Sequence, residues 1–189
     1  AAQNTRRSVT INWNDIDRLD VWSYGMAVST GMDIPERLMA QVNGRVRAWR
    51  AQAPLLSYTQ RLPDAERATA MGVFSSAALV DFYAAAAAED GGSTPPSPLF
   101  GLLRDSFSAE ETAARIIAMK GFIAQGNPDA LQAYARRVAV ARAAAQITPS
   151  QDAGADVSLL ISAMLSAGLD RDAARWLPIV KARADDLGW

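Results

Sequence analysis

Arg45, Arg47, Trp49 and Arg50 form the densest basic cluster in the chain. In it arginine is interleaved with an aromatic. The same pattern grips single-stranded nucleic acid by stacking and charge. These arginines also fall in the last turns of a predicted helix that opens with Asp33 and Glu36, where the helix dipole favours positive charge. The cluster is therefore read as a solvated helix end, with Arg45, Arg47, Trp49 and Arg50 kept as candidate contacts for a protein or peptide partner, and no nucleic acid is expected. A second candidate is the acidic run Asp15, Asp17 and Asp20, preceded by Asn12 and Asn14. It places oxygens at alternate positions but lacks the central glycine and closing glutamate of a calcium loop. Helix-start chemistry explains it, and the same holds for Asp170 and Asp172. No catalytic, cofactor-binding or metal-binding residue is assigned.

The composition narrows the chemistry further. The 189 residues contain no cysteine and no histidine. That removes disulfides, thiolate nucleophiles, sulfur-ligated metals and the commonest general base. Lysine is confined to Lys120 and Lys181, and no Gly-x-Gly-x-x-Gly or phosphate-loop pattern accompanies the glycines. A non-enzymatic role follows as the expectation, with no cofactor. The formal net charge is −1, so no overall field draws nucleic acid or an acidic membrane surface. No apolar run approaches the roughly 20 residues of a membrane-spanning helix. The opening Ala1-Ala2-Gln3 fits what small-residue signal cleavage leaves as well as it fits an internal boundary. Together with a bacterial-type bias towards alanine and arginine, it favours an exported or periplasmic location over a cytoplasmic one.

These residues need elements to position them, and alanine-rich sequence with little β-branching favours closely packed helices. The first helix is predicted from Asn14 to Thr30, with Leu19, Ser23 and Met26 on one face. Asp33-Ile34-Pro35-Glu36 opens a second that runs to Trp49 and stops at Pro54. A linker over 54–62 leads to a long helix from Pro63 to Glu89. Residues 90–98, with two glycines and three prolines, form a flexible insertion, and residues 1–11 an extended or disordered start. Ser108 to Glu111 and Thr148 to Gln151 read as capping boxes, and Asn127-Pro128 as a cap followed by a first helical residue. The final pair spans Ala155–Ala167 and Arg171–Leu187, where Pro178 should kink or split the last helix.

Three apolar runs end in a glycine followed by an acidic helix start, at Gly31, Gly126 and Gly168, and a fourth joint falls near Gly91. Glycine there can take the left-handed conformation that closes a helix, so each is read as the joint of an αα-hairpin. Gly25, Gly72, Gly101 and Gly121 are read as close helix contacts, and Gly154 as a residue at or inside a helix start. The expectation is one all-α domain over 1–189, with about eight helices in stacked antiparallel pairs, an irregular α-solenoid segment or a helical bundle. Stacked pairs make grooves, which points to an interaction or scaffold module for a protein or peptide, with self-association also open. The alternatives are a helical accessory domain of a larger, for example cell-envelope, enzyme, or a carrier of a small apolar ligand. Trp189 is read either as a terminal cap or as the start of a further repeat.

Overall fold

The computed structural model describes residues 11–91 and 97–186, with side chains to residue 183. The described residues are helical without any strand. The expectations for residues 1–10, for most of the 90–98 insertion and for Trp189 fall on residues outside that range.

The chain does not enter its first helix at Asn14. Asn12 caps a single 3-10 turn, Trp13–Asp15, which ends in extended backbone at Ile16. Helix α1, Val21–Ser29, instead starts at Asp20, whose carboxylate accepts the Ser23 amide at 2.7 Å. Its end follows the predicted chemistry. Gly31 has φ +68°, its amide donates to Val28 O, and Met32 N donates to Ala27 O at 2.9 Å. This is the paired closure of a Schellman motif.

The second predicted helix is broken. Helix α2, Glu36–Met39, starts after Pro35 without a side-chain cap, so Asp33 does not cap it. The Asn43 side chain accepts the Arg45 amide at 2.9 Å and starts α3, Gly44–Arg47, which passes into a 3-10 turn, Ala48–Gln52. Asparagine bonds locally to backbone in competition with a continuing helix, and the following glycine lowers the resistance to a break.

Ser57 and Gln60 form a reciprocal capping box that starts α4, Tyr58–Ala70, inside what composition suggested was a linker. Pro63 is accommodated within the second turn of this helix instead of opening it. The predicted long helix ends early because Gly72 takes φ +75° and builds a second Schellman closure, with Val73 N on Ala68 O at 2.8 Å. Gly72 is thus a joint and not a packing contact. Helix α5, Ser76–Asp90, follows, capped by Ser75, and ends at Gly91, whose φ of −55° is ordinary helical backbone.

Helix α6 spans Pro98–Ser108 and α7 spans Thr112–Ala124. Ser108 closes α6 by donating back to Arg104 O, so it does not cap α7. Gly121 in α7 does meet α6 closely, since a Cβ there would lie 3.0 Å from Leu102 Cδ2. The joint at Gly126 is a type II turn and not a helix cap. Gln125 (φ −55°, ψ 128°) and Gly126 (φ +71°) are its central residues, bridged by Asn127 N to Ala124 O. Asn127 is itself left-handed, and the cap of α8, Ala130–Ala145, is Asp129 in a capping box with Gln132.

Ser150, and not Thr148, caps the next element, a 3-10 segment over Gln151–Asp156. Within it Gly154 sits at φ +51°, ψ −131°, a region open to glycine almost alone. Helix α9, Val157–Ser166, ends in a third Schellman closure at Gly168. Helices α10, Asp170–Ala174, and α11, Leu177–Asp186, are separated just before Pro178, the split that proline demanded.

Neighbouring helices pack as pairs, α4 with α5, α6 with α7 and α8 with α9. At the centre lies α8, where Ala135, Ala139, Val140, Ala143 and Ala144 are fully buried and small enough for close approach on several sides. Two apolar clusters result. The larger extends from the 3-10 turn at Ala48 to Trp176 and includes Phe122, Met119 and Leu160. The smaller gathers Leu19, Tyr24, Ala27, Val28, Ile34, Leu38, Met39, Ala53 and Leu56 around α1 and α2.

Candidate docking face between α1 and Trp49

Helix α4 carries two fully buried carboxylates, Asp64 and Glu66, and each is met by arginine. Asp64 accepts Arg47 Nε at 3.0 Å and Arg50 Nη1 at 2.9 Å. Arg47 also reaches Glu36 at 3.3 Å, while its backbone carbonyl accepts the buried Tyr24 hydroxyl at 3.0 Å. Burial alone would pull the Arg47 guanidinium down, but the bonds and charges of Asp64 and Glu36 outweigh it and hold the group above its ordinary value. Burial, then the Asp64 charge, pushes the Tyr24 hydroxyl well up.

The basic cluster therefore divides. Arg47 and Arg50 face inward and are occupied by Asp64, whereas Arg45 and Trp49 stay at the surface. Arg45 forms no ion pair among the described residues. The acidic run is equally local: Asp15 accepts from Asn12 Nδ2 and Asp20 caps α1. The Ser23 backbone amide, first among its partners, holds the Asp20 carboxyl below the usual range. Among the described residues no three acidic side chains gather into a metal-binding group.

Trp49 has different company from that suggested by its neighbours in sequence. It borders an open groove of about 550 Å³ with Val21, Trp22, Gly25, Met26 and Ser29 of α1. Trp22 is 76% exposed, Met26 54% and Trp49 53%. Met26 thus points outward and not into the core with Leu19. Gly25 forms the bare stretch between Trp22 and Met26, since a Cβ there would meet nothing within 4 Å. It is not an internal helix contact. The opposite side of α1 carries Tyr24, Ala27 and Val28, all buried.

Sequence reasoning missed Trp22 and Met26. The available signal was that Val21–Ser29 is apolar on both faces, a pattern expected of a helix covered all round. Comparison of the chain with protein-family models, curated proteins and solved structures finds no match. The residues themselves carry the functional reading. Among the described residues, no helix is long and apolar enough to cross a membrane.

Proposed function

We propose that this chain is a non-enzymatic helical interaction module that binds a protein or peptide partner through the groove between α1 and Trp49. The observation that carries this reading is the pairing of two exposed tryptophans with Met26 and Val21 along one open groove. Scattered apolar residues need no explanation, but a contiguous patch of this kind marks an interaction surface. Tryptophan is the residue most enriched among binding hot spots, where truncation of one anchor removes about 2 kcal/mol or more. Methionine beside it supplies an adaptable surface suited to a peptide whose side chains must be accommodated.

The test is selection of a displayed peptide library on the intact chain, followed by measurement of the enriched peptides on a Trp22→Ser, Trp49→Ser double variant. Both side chains are exposed, so the double variant should keep its helical signal and melting behaviour. Enriched peptides sharing an apolar anchor, with affinity at least about tenfold weaker for the variant, support the reading. Peptides that bind both proteins equally, or no enriched motif, refute it.

A further inference from the structure

We infer that Asp64 is a positioning residue for the docking face: by holding Arg47 and Arg50 together, it keeps residues 48–52 in the 3-10 register that sets Trp49 across from Trp22. This inference rests on the reading of the groove as a docking face. Its mechanical part stands on the geometry of the turn.

A 3-10 turn has three residues per turn, so positions three apart lie one above the other. The segment obeys that period. Ala48 and Ala51 are buried in the larger apolar cluster, Arg47 and Arg50 share the carboxylate of Asp64, and Trp49 and Gln52 are exposed. Each pair occupies one of three edges. The first edge is supported by α4, where the Arg61 guanidinium also donates to Ala51 O at 3.1 Å. The second is closed by the buried carboxylate, 0% exposed, with both guanidiniums within 3.0 Å. On the third edge Trp49 borders the groove.

An α-helix advances 100° per residue and a 3-10 helix 120°. Were 48–52 to continue α3 as α-helix, Trp49 would turn by roughly 40° relative to Arg47, and Arg47 and Arg50 would no longer be in line. The carboxylate that holds both guanidiniums, at 3.0 and 2.9 Å, resists that turn. Tyr24 ties the other wall of the groove to the same place, because its hydroxyl bonds Arg47 O while Trp22 and Met26, two residues to either side, face out. Asp64, itself remote from solvent, thus connects α4 to both walls.

The experiment is ¹⁹F NMR of the full chain labelled with 5-fluorotryptophan, with signals assigned by single Trp→Phe substitutions. In Asp64→Asn the signals of Trp49 and Trp22 should shift or broaden, while that of Trp176, buried in the larger cluster, stays in place. Asp64→Glu, which retains the charge, should restore part of the original Trp49 signal. An unmoved Trp49 signal in folded Asp64→Asn overturns the inference, because a residue that only stabilised the fold would leave the folded spectrum alone. Should Trp176 move as well, Arg50→Gln decides, since it leaves Arg47 on the carboxylate. There, movement of Trp49 and Trp22 without Trp176 supports the inference. A Trp49 signal that stays, or moves only together with Trp176, overturns it. The measurement needs no partner, so the docking reading stands or falls separately through the peptide selection.

Discussion

Glu66 Oε1 accepts Arg136 Nε at 2.8 Å across seventy residues of sequence, and both side chains are buried. Tyr83 donates to the same carboxylate oxygen, Gln132 donates to the other at 3.0 Å, and Arg136 also donates to the carbonyls of Phe122 and Gln125. One acid on α4 thus joins α5, α8 and the end of α7. The satisfied partners are what make a buried charge pair tolerable, and loss of one partner strands the other. Glu66→Ala is expected to destabilise the chain by about 3–5 kcal/mol. Urea melts should show the Glu66→Leu, Arg136→Met double variant costing less than the sum of the two single changes.

Alkaline pH should destabilise the fold through Tyr83 and Tyr24. Burial, followed by the negative charge of Glu66 for Tyr83 and of Asp64 for Tyr24, raises both hydroxyls well above the ordinary tyrosine range. A group whose folded pKa is raised contributes stability that is fully present below its unfolded pKa and is lost as pH rises beyond it. The window therefore opens near pH 10, where the unfolded tyrosine loses its proton. Above it, each of the two contributes a fall of up to about 1.4 kcal/mol per pH unit. Urea melts taken through this range should show a shallower fall for Tyr24→Phe than for the parent.

Substitution of the joint glycines by alanine should rank by conformation and space. Gly126, Gly154 and Gly168 have positive φ in open surroundings, and each change should cost about 1 kcal/mol. Gly31 should cost more, because the added Cβ would lie 2.9 Å from Leu55 Cβ. Gly101 lies within α6 with nothing within 4 Å of an added Cβ, so Gly101→Ala should be neutral or stabilise by up to about 1 kcal/mol. Equal stability of all five variants in urea would contradict the ranking.

Tryptophans that look alike in sequence should behave oppositely. Trp176 is 1% exposed within the larger cluster, and Trp176→Ala should cost about 3–5 kcal/mol. Trp22→Ala should change thermal stability by less than about 0.5 kcal/mol, while lowering the affinity of any peptide selected on the docking face. A large loss of stability at Trp22 would mean that its indole supports the fold.

The joints illustrate how much was legible in the residues. Gly31 and Gly168 close helices as the apolar run, glycine and acidic start implied, because that signal lies within half a dozen neighbouring residues. Gly126 carries the same signal but serves a type II turn, since Asp129 and Gln132 supplied a stronger cap further along. Gly72 and Gly154 had no distinguishing context, and their positive φ emerged only in the fold. Ser57-x-x-Gln60 was a readable capping box obscured by the prolines on either side of it.

Sequence by itself determined that this is an all-helical chain, placed several of its helix ends, and excluded chemistry that needs cysteine or histidine. Those properties depend on composition and on contacts between residues a turn or so apart. Only the tertiary structure decided which members of Arg45, Arg47, Trp49 and Arg50 face outward. Asp64, fourteen residues beyond Arg50, takes two of the arginines into the interior. Likewise Trp22 joins Trp49 only because α1 packs beside the 3-10 turn. Helical periodicity divides a segment into faces, but the face that meets solvent is chosen by the elements packed around it, and those lie far away in sequence.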